Sequence, residues 1–155
     1  MSWPFRMLFF LSLTISLIVH AQSRRFSKKI ATSSIAGQVF EQVGNFMPSK
    51  GKPAVKGRPL MTKVFIYQPV QMAQLENQNG AYCDRINGVL IKAALSDSTG
   101  HYHFDLNPGK YSIVVAYDHG FFIPYFSGTD GVAYILVEKG RPQILNITVN
   151  QKASY

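Results

Sequence analysis

The sequence is poor in cysteine and in charged residues, and each shortage excludes a class of protein. Charged residues make up 15% of the 155 residues and hydrophobic residues 46%, a balance that excludes disorder of the whole chain. The single cysteine, Cys83, excludes an internal disulfide, so a folded domain has to rely on its hydrophobic core. Because no histidine or lysine lies close to Cys83 in sequence, we expect this thiol to be buried and unreactive rather than available for a bridge between chains.

The sequence also has no apolar run of the roughly 20 residues that a membrane-spanning helix needs. Residues 7–19 form an apolar run of 13 residues that follows Arg6 and ends before a small residue, Ala21. This pattern is typical of a secretory signal peptide cleaved after Ala21, and an uncleaved N-terminal anchor is the alternative. We predict a signal peptide over 1–21 and an exported protein that is periplasmic, on the cell surface or extracellular. The mature chain is expected to have no transmembrane segment.

Acidic residues are scarce in the first third of the mature chain. Between Gln22 and Lys63 there are nine basic residues and one acidic residue, Glu41. We interpret 22–33 as a basic tail and 34–155 as one folded domain. No nucleic-acid-binding motif accompanies the charge, so nucleic acid is not expected as a partner. Salt-sensitive adhesion to an anionic polysaccharide is one hypothesis, and a solvated basic surface is the other. The candidate basic binding residues are Lys50, Lys52, Lys56 and Arg58.

Short β-rich runs separated by Gly, Pro, Asn and Asp dominate the predicted domain. Candidate strands cover 34–40, 60–68 and 89–95, and residues 71–80 are expected to form a loop or a short helical turn. About seven short strands and no convincing helix indicate an all-β fold, a seven-stranded antiparallel sandwich.

Two hairpins are predicted in the second half of the chain. Residues 101–106 alternate strictly, which places Tyr102, Phe104 and Leu106 on one face of a strand. The turn 107–109 (Asn-Pro-Gly) and a second alternating run over 111–117 then suggest a hairpin. The same reasoning predicts a hairpin between 132–138 and 143–150.

Residues 96–113 resemble the core motif of carboxypeptidase regulatory-like domains: an Asp turn, a Gly, an alternating aromatic strand, a Pro-Gly turn, then a Tyr and a β-branched strand. The resemblance extends from about Ile35 to the C-terminus, and small exported bacterial proteins made of this domain alone are the most similar group. It implies a transthyretin-like, immunoglobulin-like β-sandwich. It also implies a non-catalytic module, because none of the four histidines has the Glu three residues later that zinc carboxypeptidases use.

One candidate metal site lies on the strand of the first predicted hairpin. His101, His103 and Asp105 share the face opposite the aromatic one, and two imidazoles and a carboxylate at this spacing can share a metal ion. A small metal-binding protein or metal-dependent enzyme is therefore the alternative function. The primary interpretation is an ordinary polar outer face, with no metal and no cofactor.

The most apolar stretch of the mature chain is 121–126, and Pro124 inside it argues against a central strand. If it is exposed, this stretch is a docking patch for an envelope protein or a glycan; if it is buried, it closes one end of the sandwich. The candidate aromatic binding residues are Phe121, Phe122, Tyr125 and Phe126. We expect an exported, non-enzymatic module with a structural or binding role in the cell envelope; the sequence predicts neither the ligand nor the oligomeric state.

Overall fold

The computed structural model describes residues 33–47, 57–127 and 131–154. The predicted signal peptide, nearly all of the basic tail, and Lys50, Lys52 and Lys56 lie outside these residues. The described residues contain no α-helix and one 3₁₀ turn, Met72–Gln74, which falls in the segment predicted as a loop or helical turn. The prediction of an all-β fold is confirmed.

The described residues form fifteen strands, and seven of them have four or more residues. In chain order the strands are β1 (Ser33–Asn45), β2 (Arg58–Pro59), β3 (Lys63–Tyr67), β4 (Leu75–Glu76), β5 (Tyr82–Cys83), β6 (Arg85–Ile86), β7 (Leu90–Leu95), β8 (His101–Leu106), β9 (Gly109–Tyr117), β10 (Gly120–Phe122), β11 (Phe126–Ser127), β12 (Gly131–Val132), β13 (Tyr134–Val137), β14 (Gln143–Ile144) and β15 (Ile147–Ser154).

The first sheet is built around β1, which is longer than predicted and has neighbours on both sides. β8 and then β2 pair with one side of β1, and both are antiparallel to it. β14 and then β15 pair with the other side in parallel, an arrangement that the predicted antiparallel sandwich did not include. A parallel neighbour requires a long connection, which here is the whole chain between β1 and the C-terminal strands.

The second sheet runs in the order β5-β10-β9-β3-β7, and all of its pairs are antiparallel. β9 lies at its centre. β13 pairs with the start of β9 and β10 with its end, both on the side of β9 that is turned away from β3. Strand β7 pairs with β3 and forms one edge of this sheet.

Both predicted hairpins are wrong, although the strands themselves are present. β8 pairs with β1 in the first sheet, whereas β9 pairs with β3, β10 and β13 in the second. The segment around Pro108 therefore takes the chain from one sheet to the other rather than folding it back on itself. The same holds farther on, where β13 belongs to the second sheet and β14 and β15 to the first.

The two sheets share one hydrophobic core, which makes the fold sandwich-like. Strand alternation places the core side chains as predicted: Tyr102, Phe104 and Leu106 are buried, and the residues between them are exposed. Burial of apolar side chains is the main driving force for joining the two sheets. The segment between β3 and β7 adds a small layer to the hydrophobic core, because its residues Val70 and Ile86 are buried in the same hydrophobic cluster as Tyr67.

Candidate functional site

The predicted aromatic stretch is divided between the core and the surface. Phe122 is 2% exposed and the following Ile123 is fully buried, so Phe122 fills the core and is not available to a ligand. Phe121 and Phe122 belong to β10, which pairs with β5 on one side and β9 on the other, so the expectation that this stretch is not a central strand is wrong for these two residues; the strand ends before Pro124. Tyr125 is half-buried and donates a hydrogen bond from its hydroxyl to the Tyr134 carbonyl oxygen (2.7 Å). Phe126 is 44% exposed.

Phe121 belongs to an aromatic pair on the outer face of the second sheet, the face turned away from the core. Phe65 alternates with the fully buried Val64 and Ile66 along β3, so its half-buried side chain points outward. The rings of Phe65 and Phe121 meet edge to face, with centroids 5.4 Å apart and planes at 72°. Of the predicted aromatic residues, Phe121 therefore contributes to a packed surface.

Strand β7 extends this surface with aliphatic side chains. Ala93 lies directly opposite Phe65 and Leu95 opposite Lys63, so both share the outer face with Phe65. Leu95 is 62% exposed, and Ala93 is exposed as well. Phe65, Phe121, Ala93 and Leu95 are named the outer apolar surface below. The sequence predicted the strand but not its exposure, because the run 89–95 has the composition of a buried strand.

The predicted metal residues lie along one exposed polar face of β8. His101, His103 and Asp105 are exposed along β8, as the alternation predicts. The His103 Nε2 lies 3.2 Å from Asp105 Oδ1, whereas the His101 Nδ1 contacts the Thr99 hydroxyl at 2.6 Å. Within the described ranges, no group of three or more His, Cys, Asp or Glu side chains is arranged to hold a metal ion.

Arg58 is the one predicted basic binding residue within the described ranges, and it is engaged in an ion pair. Its Nε and Nη2 both donate to Oε2 of Glu41, at 2.9 and 2.6 Å. The Tyr117 hydroxyl donates to the other carboxylate oxygen, Oε1, at 2.9 Å. Glu41 is 7% exposed, whereas the Arg58 side chain extends into solvent. The guanidinium thus serves first to neutralise a nearly buried carboxylate.

A second ion pair, between Lys152 and Asp118, lies beside Tyr117. The residues of the two ion pairs and Tyr117 are named the polar end of the sandwich below. Lys152 Nζ lies 3.0 Å from Asp118 Oδ1 and 5.1 Å from the centroid of the Tyr117 ring. An open cavity of about 240 Å³ lies beside these groups. Its lining residues are Glu41, Leu60, Met61, Thr62, Ala116, Tyr117 and Asp118.

The electrostatics of this end favour a fixed negative charge on Glu41. Burial raises the pKa of Glu41, but the hydrogen bonds from Arg58 and Tyr117 and the positive charges of Arg58 and Lys152 outweigh burial, so the pKa is lowered. Burial and the neighbouring Glu41 raise the pKa of the Tyr117 hydroxyl, which keeps its proton. A carboxylate with a lowered pKa and both oxygens occupied is a poor general base. It joins the two sheets instead.

The residues at this end of the molecule were not predicted from the sequence. Glu41, Tyr117, Asp118 and Lys152 were not identified, although one signal was available. Core-facing residues of β1 recur at every second position from Ser33, and continuing that alternation past Val39 places Glu41 in the core. A carboxylate at a core position requires partners, which the structure supplies from β2 and β9.

No protein-family model matches the chain, and no curated protein is significantly similar to it in sequence. The resemblance to carboxypeptidase regulatory-like domains therefore rests on the quoted residues. The described ranges contain no helix with the length and apolar character needed to cross a bilayer.

Proposed function

We propose that this chain is an exported, non-catalytic module of the carboxypeptidase regulatory-like type, a seven-stranded immunoglobulin- or transthyretin-like sandwich with a binding role in the cell envelope. The observation that carries the proposal is the outer apolar surface. Surfaces that keep apolar and aromatic side chains in contact with solvent are typical of docking sites. The partner expected is an envelope protein or a glycan.

The structural roles of the motif residues support the sandwich type. Asp97 accepts hydrogen bonds from the backbone N–H groups of Thr99 and His101 and so closes the turn before β8. Gly100 follows with φ +80°, and a Cβ at this position would lie 2.4 Å from the Val39 carbonyl oxygen. The most family-like residues thus build the fold, as expected for a module without catalytic residues.

The polar end of the sandwich supports the non-catalytic part of the proposal. Its nearly buried carboxylate, Glu41, is paired on both oxygens with Arg58 and Tyr117. Asp118 at the cavity rim is paired with Lys152. Groups that satisfy one another in this way contribute stability, and the lowered pKa of Glu41 lies away from the near-neutral value that acid–base catalysis at pH 7 needs.

Export is tested by expressing the full chain in a bacterial host and determining the N-terminus of the protein recovered from the envelope or the medium. We expect it to begin at Gln22. Cytoplasmic retention with Met1 in place would contradict the proposal.

Binding is tested with a photo-crosslinking phenylalanine analogue placed at Phe121 in that exported chain. The matched control carries the analogue at His103, on the exposed face of the first sheet. We expect a defined envelope component crosslinked at 121 and not at 103, unchanged when the salt concentration is raised, since apolar contacts resist salt. Equal crosslinking at both positions, or none at 121, would count against the outer apolar surface. Crosslinking of an envelope component that is lost at high salt concentration would favour binding through the basic residues between Gln22 and Lys63.

A further inference from the structure

The segment between β3 and β7 contains two Asn-Gly sequences, Asn79-Gly80 and Asn87-Gly88. At such a sequence the backbone nitrogen of the glycine can attack the side chain of the asparagine, because glycine has no Cβ that obstructs the approach. The two sequences are chemically the same, so a difference in their reactivity within the folded protein has to come from the surroundings of each asparagine. The structure restrains the two asparagines to very different degrees.

Asn87 is held at its side chain and at both of its backbone groups. Its Nδ2 donates to Glu76 Oε1 at 2.6 Å, and its N–H donates to the Gln74 carbonyl oxygen at 2.8 Å. Its own carbonyl oxygen accepts a hydrogen bond from Gln74 Nε2 at 2.8 Å. Gly88 is half-buried, and a Cβ placed on it would lie 3.1 Å from a methyl carbon of Val70. The Asn87 amide therefore cannot turn toward the Gly88 nitrogen without breaking several contacts at once.

Asn79 lacks these side-chain restraints. Asn79 and Gly80 are both exposed, and the side-chain amide of Asn79 forms no hydrogen bond with the described residues. The backbone of Asn79 forms an isolated bridge with Tyr82: the Asn79 N–H donates to the Tyr82 carbonyl oxygen at 2.8 Å, and the Tyr82 N–H donates to the Asn79 carbonyl oxygen at 3.1 Å. A Cβ placed on Gly80 would have no atom within 4 Å. The Asn79 side chain can therefore reach the Gly80 nitrogen at the cost of this surface bridge alone.

We propose that Asn79 is a site of spontaneous deamidation in the folded protein and that the fold protects Asn87 from the same reaction. The Gly80 backbone nitrogen attacks Cγ of Asn79 and loses its proton to water, the Cγ–Nδ2 bond breaks, and ammonia leaves behind a five-membered succinimide. Water then opens this ring. Attack on Cγ gives aspartate, whereas attack on the main-chain carbonyl carbon gives isoaspartate. The whole conversion consumes one water molecule and releases one ammonia, and it needs no other reactant.

The isoaspartyl product changes the turn before β5. The main chain then runs through Cβ and Cγ of residue 79, which lengthens the turn by one carbon and converts the original carbonyl group into a free carboxylate. That carbonyl oxygen is the acceptor for the Tyr82 N–H, so the bridge is lost. Strand β5 has two residues and pairs with β10 alone among the described strands. We therefore expect β5 to open more often and to expose the buried thiol of Cys83.

The test is incubation of the exported chain at mildly alkaline pH, followed by proteolytic digestion and mass spectrometry of the peptides that contain Asn79 and Asn87. In the native protein we expect deamidation at Asn79 to be at least about tenfold faster than at Asn87, since several hydrogen bonds restrain the latter. The matched control is the same chain in urea, where the restraints are absent and the two sites should react at similar rates. Equal rates at the two sites in the native protein would overturn the proposal. So would a native Asn79 that stays intact while both sites react in urea.

A variant tests the consequence for β5. Asn79→Gln keeps an amide at this exposed position, but its longer side chain cannot close the five-membered ring, so the variant should remain folded and intact at residue 79. After incubation, an aromatic disulfide reagent should label Cys83 faster in the wild-type protein than before incubation, whereas the variant should keep its initial rate. An equal increase in both proteins, or no increase in a wild-type sample that carries isoaspartate, would overturn the link between the turn and β5.

Discussion

The Glu41 carboxylate and the Tyr117 hydroxyl form a hydrogen bond of 2.9 Å that ties β1 of the first sheet to β9 of the second. The two residues are far apart in sequence and both are nearly buried. Arg58 covers the other carboxylate oxygen from the solvent side. This end of the sandwich is thus held by a charge with defined partners in addition to apolar packing.

Removing the tyrosine hydroxyl should destabilise the fold. Tyr117→Phe leaves one oxygen of a nearly buried carboxylate without its donor, so we expect a loss of about 1–3 kcal/mol in the free energy of unfolding, measured with urea. The matched control is Tyr111→Phe, whose hydroxyl bonds the Asn107 carbonyl oxygen at an exposed site. Water can replace that bond, and the control should lose less. Equal losses would show that the buried position of Glu41 has no special importance.

Stability should fall at acid pH because of Glu41. Its pKa is lowered in the folded protein from an ordinary value of 4.5, so the stabilisation is complete above about pH 4.5 and is lost as the pH falls through the folded pKa. Thermal unfolding between about pH 3 and 6 measures this. Glu41→Gln should be less stable at neutral pH and should show a weaker decline on acidification. A variant with the same decline as the wild type would assign the acid sensitivity to another carboxyl, such as Asp97.

Gly100 should not tolerate a side chain. It combines φ +80° with a position at which a Cβ would lie 2.4 Å from the Val39 carbonyl oxygen, so Gly100→Ala adds a steric clash to backbone strain. Gly140 has φ +69° and open space around its Cβ position, so Gly140→Ala reports the strain alone, about 1–2 kcal/mol. Urea unfolding should show a clearly larger loss for Gly100→Ala. Similar losses would mean that β1 moves to accommodate the methyl group.

Cys83 should resist thiol reagents until the protein unfolds. The residue is fully buried, and burial followed by the charge of Asp84 raises the pKa of its thiol to about 11. The thiolate is the reactive form, so at about pH 8 an aromatic disulfide reagent should label the native protein far more slowly than the protein in urea. Equal rates in the two states would show that the β5 end of the second sheet opens readily.

The sequence by itself determined the all-β class of the fold and the inward face of β8. Strict alternation around Phe104 predicted the buried and exposed positions of β8. The period of a strand is a local property, since successive side chains point to opposite sides whatever the strand pairs with. The same alternation, continued along β1, is the local signal that places the carboxylate of Glu41 in the core, although this residue was not among those predicted.

Only the tertiary structure decided which strands are neighbours. A Pro-Gly turn between β8 and β9 suits a hairpin as well as a crossing between sheets, and the choice depends on contacts with β1 and β3, far away in sequence. For the same reason the partners of Glu41, the pairing of Phe121 with Phe65 and the position of β7 at the edge of its sheet could not be predicted. The hydrophobic effect depends on the total apolar area that is removed from water and not on how far apart the residues are in sequence. It therefore favours the strand arrangement that buries one face of each sheet, and this arrangement depends on the whole chain.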